Sequence, residues 1–212
     1  MMKTIRIVKY ILLHFFFLLT FQISYSQNKI IVDSLSIEME KAKEPSSFSN
    51  SILRRVRFDQ TELKFIMVKC QIKSKGEYRA EISAFSLLDT VNKVRYRVAD
   101  YLGYAGIIGF PEVNPYRKDK PHDSEEYSYI LPQYNSDVID VFDQFSMKDY
   151  KDFGVPIEFG TKKNPDKSLI YFGKTTYKNF RAELFFITLK ELKNSLYALY
   201  YKNSKVGTFK IE

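Results

Sequence analysis

Two stretches of the sequence hold carboxylates at spacings that chemistry could use. In "DKPHDSEE", Asp119, His122, Asp123, Glu125 and Glu126 share one short segment, and hard carboxylate oxygens gathered in a loop are what calcium takes. Their order fits no twelve-residue calcium loop, so a solvated acidic turn is expected and no metal ligand is assigned. In "SDVIDVFDQF", Asp137, Asp140 and Asp143 stand three apart. A pair of carboxyls across a cleft hydrolyses glycosidic bonds, and Glu158 or Asp123 would be the further members of such a group. Three aspartates on one helical face more simply form its wet side.

Nucleophilic catalysis needs a serine or cysteine beside a positioned base. The chain has one cysteine, Cys70, and two histidines, His14 and His122. It contains no G-x-S-x-G, no H-E-x-x-H and no C-x-x-C, and "GYAGIIG" at 103–109 lacks the lysine and hydroxyl of a phosphate loop. No catalytic residue, cofactor or metal is therefore assigned. The candidate ligand-binding residues are Tyr127, Tyr129 and Tyr134 in "EEYSYILPQY", because loop tyrosines offer contact area at little cost in entropy. The alternative is that they tuck under the loop and anchor it.

The elements that would position these groups begin after residue 26. "MMKTIRIVK" carries Lys3, Arg6 and Lys9, and an apolar run of 12 residues, "YILLHFFFLLTF", follows it. Ser24 and Ser26 then precede Gln27, so residues 1–26 read as a secretory signal cut between Ser26 and Gln27. Twelve residues are short against the ~20 that span a bilayer. No transmembrane segment is expected after cleavage, and with no cysteine at the cut no lipid anchor is expected either. The predicted location is the periplasm or the outside of the cell. The "YSQ" ending resembles that of exported proteins of the Bacteroidota.

The full chain is formally +8. Removing three bases with the signal leaves about +5 on 186 residues, with the excess lying beyond Lys148. A positive field favours polyanions. Nucleic acid is not expected outside the cell, so the partner is expected to be a protein or a polyanionic envelope component. Oligomeric state is left open.

Residues 27–50 read as a flexible N-terminal arm, although "IIVDSLSIEME" could form a first strand. In "ELKFIMVKCQIKS", Ile66, Val68, Cys70 and Ile72 alternate with more polar neighbours, the mark of a half-buried strand. "AFSLLDTVNKVRYRVADYLGY" fits either a helix or a hairpin. Its Ser, Thr, Asn and Val content opposes a helix, so a hairpin turning at "DTVN" is predicted, with Val94, Tyr96 and Val98 inward and the arginines outward. Residues 110–135, with four prolines, read as a long inserted loop. Val138, Val141, Phe142 and Phe145 predict a short amphipathic helix. "KSLIYFGK" and "FRAELFFITL" read as strands, and a closing hairpin is expected about Asn203–Ser204.

The order of "ELKFIMVKCQIKSKG", "AFSLLDTVNKVRYRVAD" and "AELFFITLKELKNSLYALYYKNSKVGTFKI" resembles a small immunoglobulin-like domain of unknown function, common in exported bacterial proteins and lipoproteins. Phe65, Val68, Ile72, Phe85, Leu87, Tyr96, Leu184, Phe186, Leu199 and Val206 fill its apolar places, over about half of the processed chain. The resemblance implies a binding or accessory module and lends no catalytic residue. Together these features predict an all-β chain: an antiparallel immunoglobulin-like β-sandwich over 51–212, with one inserted loop and one short helix. The predicted role is a binding or accessory module without activity. The alternatives are a carboxylate-based hydrolase of envelope polysaccharide and a structural subunit completed by strand addition.

Overall fold

The computed structural model describes residues 28–45, 49–50, 54–55, 60–106, 111–112, 116–118, 138–160, 165–192 and 194–211. The first strands are β1 (Lys29–Val32), β2 (Leu35–Lys43), β3 (Ser49–Asn50), β4 (Arg54–Arg55) and β5 (Leu63–Ser74). Next come β6 (Phe85–Asp89), β7 (Val94–Tyr104), β8 (Pro111–Glu112), β9 (Tyr116–Lys118), β10 (Lys151–Phe153) and β11 (Ile157–Gly160). The last are β12 (Pro165–Ser168), β13 (Ile170–Phe172), β14 (Asn179–Leu189), β15 (Tyr197–Tyr201) and β16 (Ser204–Phe209). The helical pieces among the described residues are two single 3₁₀ turns, Ile82–Ala84 and Phe142–Phe145. No helix there is long and apolar enough to cross a membrane.

The fold is all-β. Its main sheet runs β1-β2-β5-β14-β7-β6-β15-β16, with antiparallel neighbours throughout this path. The centre is the long β5–β14 pair, where Ile66, Val68, Cys70 and Ile72 face Phe186, Leu184, Ala182 and Phe180. All eight are buried. Two strands with the same alternation lock in one register, because a slip of one residue would turn both apolar rows into water.

Residues 85–104 double back as predicted. β6 pairs with β7 across Thr90–Lys93, and Asp89 accepts hydrogen bonds from the backbone N–H groups of Val91 (3.1 Å) and Asn92 (3.0 Å). Lys93 takes a φ of 57° to close the turn. β7 then serves two partners in succession: Val94–Arg97 pair with β6, and Val98–Tyr104 pair with β14. A bulge at Ala99 separates the two halves, and an extra residue there bends the strand and re-aims it.

The sheet nearly closes into a barrel, and the segment expected as a loose arm closes it. β1 and β2 join through Asp33 and Ser34, both with positive φ (48° and 65°), the backbone that a tight two-residue hairpin requires. Leu35, Ile37 and Met39 are buried in the core against β5. The other end of the sheet, β16, meets this hairpin at Gly207. A Cβ there would stand 2.7 Å from Met39 Cε and 2.8 Å from Asn28 Oδ1. Lys202 of the β15–β16 turn reaches Asp33 at 2.5 Å and ties the two ends again.

Three further expectations are corrected. The helix over 137–145 is only the turn Phe142–Phe145, because the carbonyls of Phe142 and Phe145 accept hydrogen bonds from the Arg95 guanidinium instead of continuing a helical ladder. "KSLIYFGK" is not one strand: β12 pairs with β11, and β13 pairs with β9. The final hairpin turns at Lys202–Asn203, one residue early, with Lys202 at a φ of 54°. Within the stretch read as loop 110–135, the described residues form β8 on β7 and β9 on β13.

Candidate functional site

The most organised polar cluster lies on the outer side of β7. Arg95 and Arg97 are two residues apart on one strand and therefore share a face. The sequence predicts both as solvated, yet Arg95 is only 1% exposed. β14 leaves β7 after Phe186, and β10 fills the vacated edge in parallel register, Lys151 to Val94 and Phe153 to Tyr96. This lays residues 138–153 across the two guanidiniums.

Each arginine has a carboxylate partner and an aromatic ring against it. Arg95 Nε and Nη2 donate to the two oxygens of Asp152 at 2.6 and 2.9 Å, and Nη1 donates to the carbonyls of Phe142 and Phe145. Its guanidinium stacks over the Phe142 ring at 3.8 Å. Arg97 pairs with Asp140 and lies 4.5 Å over the Tyr171 ring and 5.1 Å over that of Phe142. Asp140 is 6% exposed and its other oxygen accepts from Phe142 N–H at 3.0 Å. Burial pushes the Asp140 carboxyl above the usual range, and Arg97 pulls part of that shift back. Val141 N–H donates to buried Ser83 at 3.0 Å, fixing the start of the strap.

A second polar knot closes the opposite turn. Asp89, fully buried, accepts from Ser195 Oγ at 2.5 Å and Asn92 Nδ2 at 2.7 Å besides its two backbone donors. Thr90 N–H and Oγ1 both donate to the Leu196 carbonyl at 2.9 Å. The resemblance of Ser195–Asp89 to a catalytic pair ends there, because no imidazole joins it among the described residues. Both clusters hold chain segments together.

The sequence candidates divide as follows. Tyr127, Tyr129, Tyr134, the acidic group at 119–126, Asp137 and the cut at Ser26–Gln27 lie outside the described residues. Asp140 and Asp143 stand at one turn, but Asp140 is taken by Arg97 and Asp143 points to solvent. Cys70 is completely buried, and desolvation, with Glu40 nearby, pushes its thiol far up and away from nucleophilic use. No group of three or more metal-ligating side chains occurs among the described residues. A depression of ≈ 130 Å³ opens between Glu44, Leu63, Phe65 and Lys190 at one end of the sheet. There Lys64 is paired with Glu44 at 3.0 Å.

The outer face of β1, β2, β5 and β14 is mixed: Phe65, Met67, Phe185 and Ile187 on it are buried, while its charged residues are exposed or half-buried. Lys29, Lys41, Lys43, Lys69, Lys73 and Arg181 stand on it with Glu38, Glu40 and Glu183. The ion pairs are Lys29–Glu38 (3.8 Å), Lys69–Glu183 (3.7 Å) and Arg181–Glu40 (3.4 Å).

Compared with known proteins, the chain matches no family model, no curated protein and no solved structure.

Proposed function

We propose that the protein is an exported binding or accessory module of the cell envelope, without catalysis of its own, built as an immunoglobulin-like β-sandwich. The export half of this reading comes from the basic start, apolar run and small residues of the first 26 positions. The sandwich comes from the bend in β7. One layer would be β1, β2, β5, β14 and the Val98–Tyr104 half of β7, and the other would be the Val94–Arg97 half with β6, β15 and β16.

One observation carries the choice of binding over hydrolysis. Asp140, the carboxylate that a hydrolase would use, is bound to Arg97 and the Phe142 amide inside the fold, while the lysines Lys41, Lys43 and Lys73 on a sheet face are exposed. A structural subunit completed by a donated strand is less well supported, since the end strands β1 and β16 face each other across the near-closed seam.

The test expresses the full chain in an exporting bacterium. The chain should reach the envelope or medium with Gln27 as its first residue. The purified product should co-sediment with isolated envelope and release neither reducing sugar nor peptide from it. Catalytic release of soluble saccharide would refute the proposal.

A further inference from the structure

The outer face of β1–β2–β5–β14 carries six cations against three carboxylates, and the pattern of pairing is uneven. Lys29, Lys69 and Arg181 each have a carboxylate partner. Lys41, Lys43 and Lys73 are exposed and have none among the described residues. Lys41 stands directly opposite Lys69 in register. Like charges directly opposite one another on a sheet destabilise it, so the arrangement is unfavourable for the fold by itself and becomes favourable when an anion lies across it.

The geometry suits a chain rather than a point ligand. Lys43 stands beside Met67 and Lys41 beside Lys69; Glu38 stands beside Gln71, and Lys73 follows two outward steps beyond Lys69. At about 6.8 Å per outward step this track is roughly 20 Å long. Beside its Lys73 end lies the row Ile31, Ser36, Lys73, Asn179, which adds hydroxyl and amide groups and the exposed Ile31 side chain. Among the described residues no ring on this face is fully exposed to stack a base, as single-stranded nucleic acid requires, and no helix projects to enter a duplex groove.

We propose that this face binds an acidic polysaccharide, its carboxylates or sulfates seated on Lys41, Lys43 and Lys73 and its hydroxyls on the polar row beside them. The inference rests on the binding-module reading and names the partner class and surface within it.

The experiment measures binding of the purified protein to polygalacturonate, neutral dextran of similar length and a 20-base-pair DNA duplex, at low and moderate salt. Polygalacturonate should bind and neutral dextran should not, with affinity falling steeply as salt rises. Lys41→Gln, Lys43→Gln and Lys73→Gln together should lose about tenfold in affinity at low salt, with an unchanged melting temperature. The control Lys148→Gln, Lys151→Gln and Lys174→Gln changes net charge equally at exposed lysines outside the four strands of this face and should retain wild-type affinity. Equal loss in both triples, equal binding of dextran, or preference for DNA would overturn the inference. Failure of the outer-face triple while the wild type still co-sediments with envelope removes this inference alone. Absence of both forms of binding removes the module reading as well.

Discussion

Replacing Arg97 by methionine should give a protein whose stability deficit shrinks on acidification, contrary to ordinary acid denaturation. Arg97 and Asp140 have side chains only 11% and 6% exposed. Removing one member of such a pair leaves the other charge buried and uncompensated, at about 3–5 kcal/mol. With a urea slope of ~1–3 kcal/mol/M, the midpoint at pH 7 should fall by roughly 1–5 M. The wild-type Asp140 carboxyl is already raised by burial and restrained by Arg97. In Arg97→Met that restraint is gone, so the folded pKa lies further above the unfolded value of ~3.9. Between those two values the folded chain binds more protons than the unfolded one. Stability is therefore recovered below the unfolded pKa and lost as pH rises through the folded pKa. The deficit relative to wild type should shrink on going from pH 7 to 4.5, at up to ~1.4 kcal/mol per pH unit within that window. Urea titrations followed by far-UV circular dichroism at several pH values measure it, since the chain has no tryptophan. Adding Asp140→Asn should recover at least ~1 kcal/mol at pH 7 and abolish the pH dependence of the deficit. A deficit that is constant or grows with acid, or a double variant that is additive, would refute the buried-pair argument.

Asp89→Ala strips the acceptor from two side-chain and two backbone donors and should cost about 3 kcal/mol in urea unfolding; Ser195→Ala removes one of them and should cost about 1 kcal/mol. Gly207→Val must displace Met39 and Asn28 at the seam and should cost about 1–3 kcal/mol, read as a lowered melting temperature. Cys70 should resist iodoacetamide at pH 8 in the native protein and react fully in urea, because its thiol is buried and pushed far up; rapid native alkylation, followed by mass spectrometry, would contradict the placement of β5.

Much of the sheet is legible because alternation is a local signal. β5, β14 and the β6–β7 hairpin follow from apolar residues two apart and from Asp89 and Asn92 at the turn. The ten apolar positions from Phe65 to Val206 picked out by the resemblance are all buried. Where a second element intervenes, the local signal misleads. The 3.6 period at 138–145 does find side chains that pack inward, Val138, Val141 and Phe142. It errs on the backbone, because Arg95, about fifty positions earlier, takes the carbonyls that a helix would need. The N-terminal arm shows the converse. "LSIEME" alternates visibly, but its docking depends on a partner in β5 and on a glycine at position 207.

The two cationic faces make the physical reason plain. Arg95 and Arg97 on β7 and Lys69 and Lys73 on β5 carry a similar signature, bases on the polar side of an alternating strand. Alternation says which side of a strand meets the core and nothing about what lies above the other side. Over β7 a strap brings Asp140, Asp152 and Phe142, and the charges become internal fastening. Over β5 the ion pairs are fewer than the bases, and Lys73, like Lys41 and Lys43 further along on β2, stays open to solvent. A base that is buried and paired is unavailable to a ligand, whereas an exposed base set against another base lowers its energy by meeting an anion. An element distant in sequence thus covers the bases of one strand and leaves Lys41, Lys43 and Lys73 exposed, a difference that alternation alone does not carry.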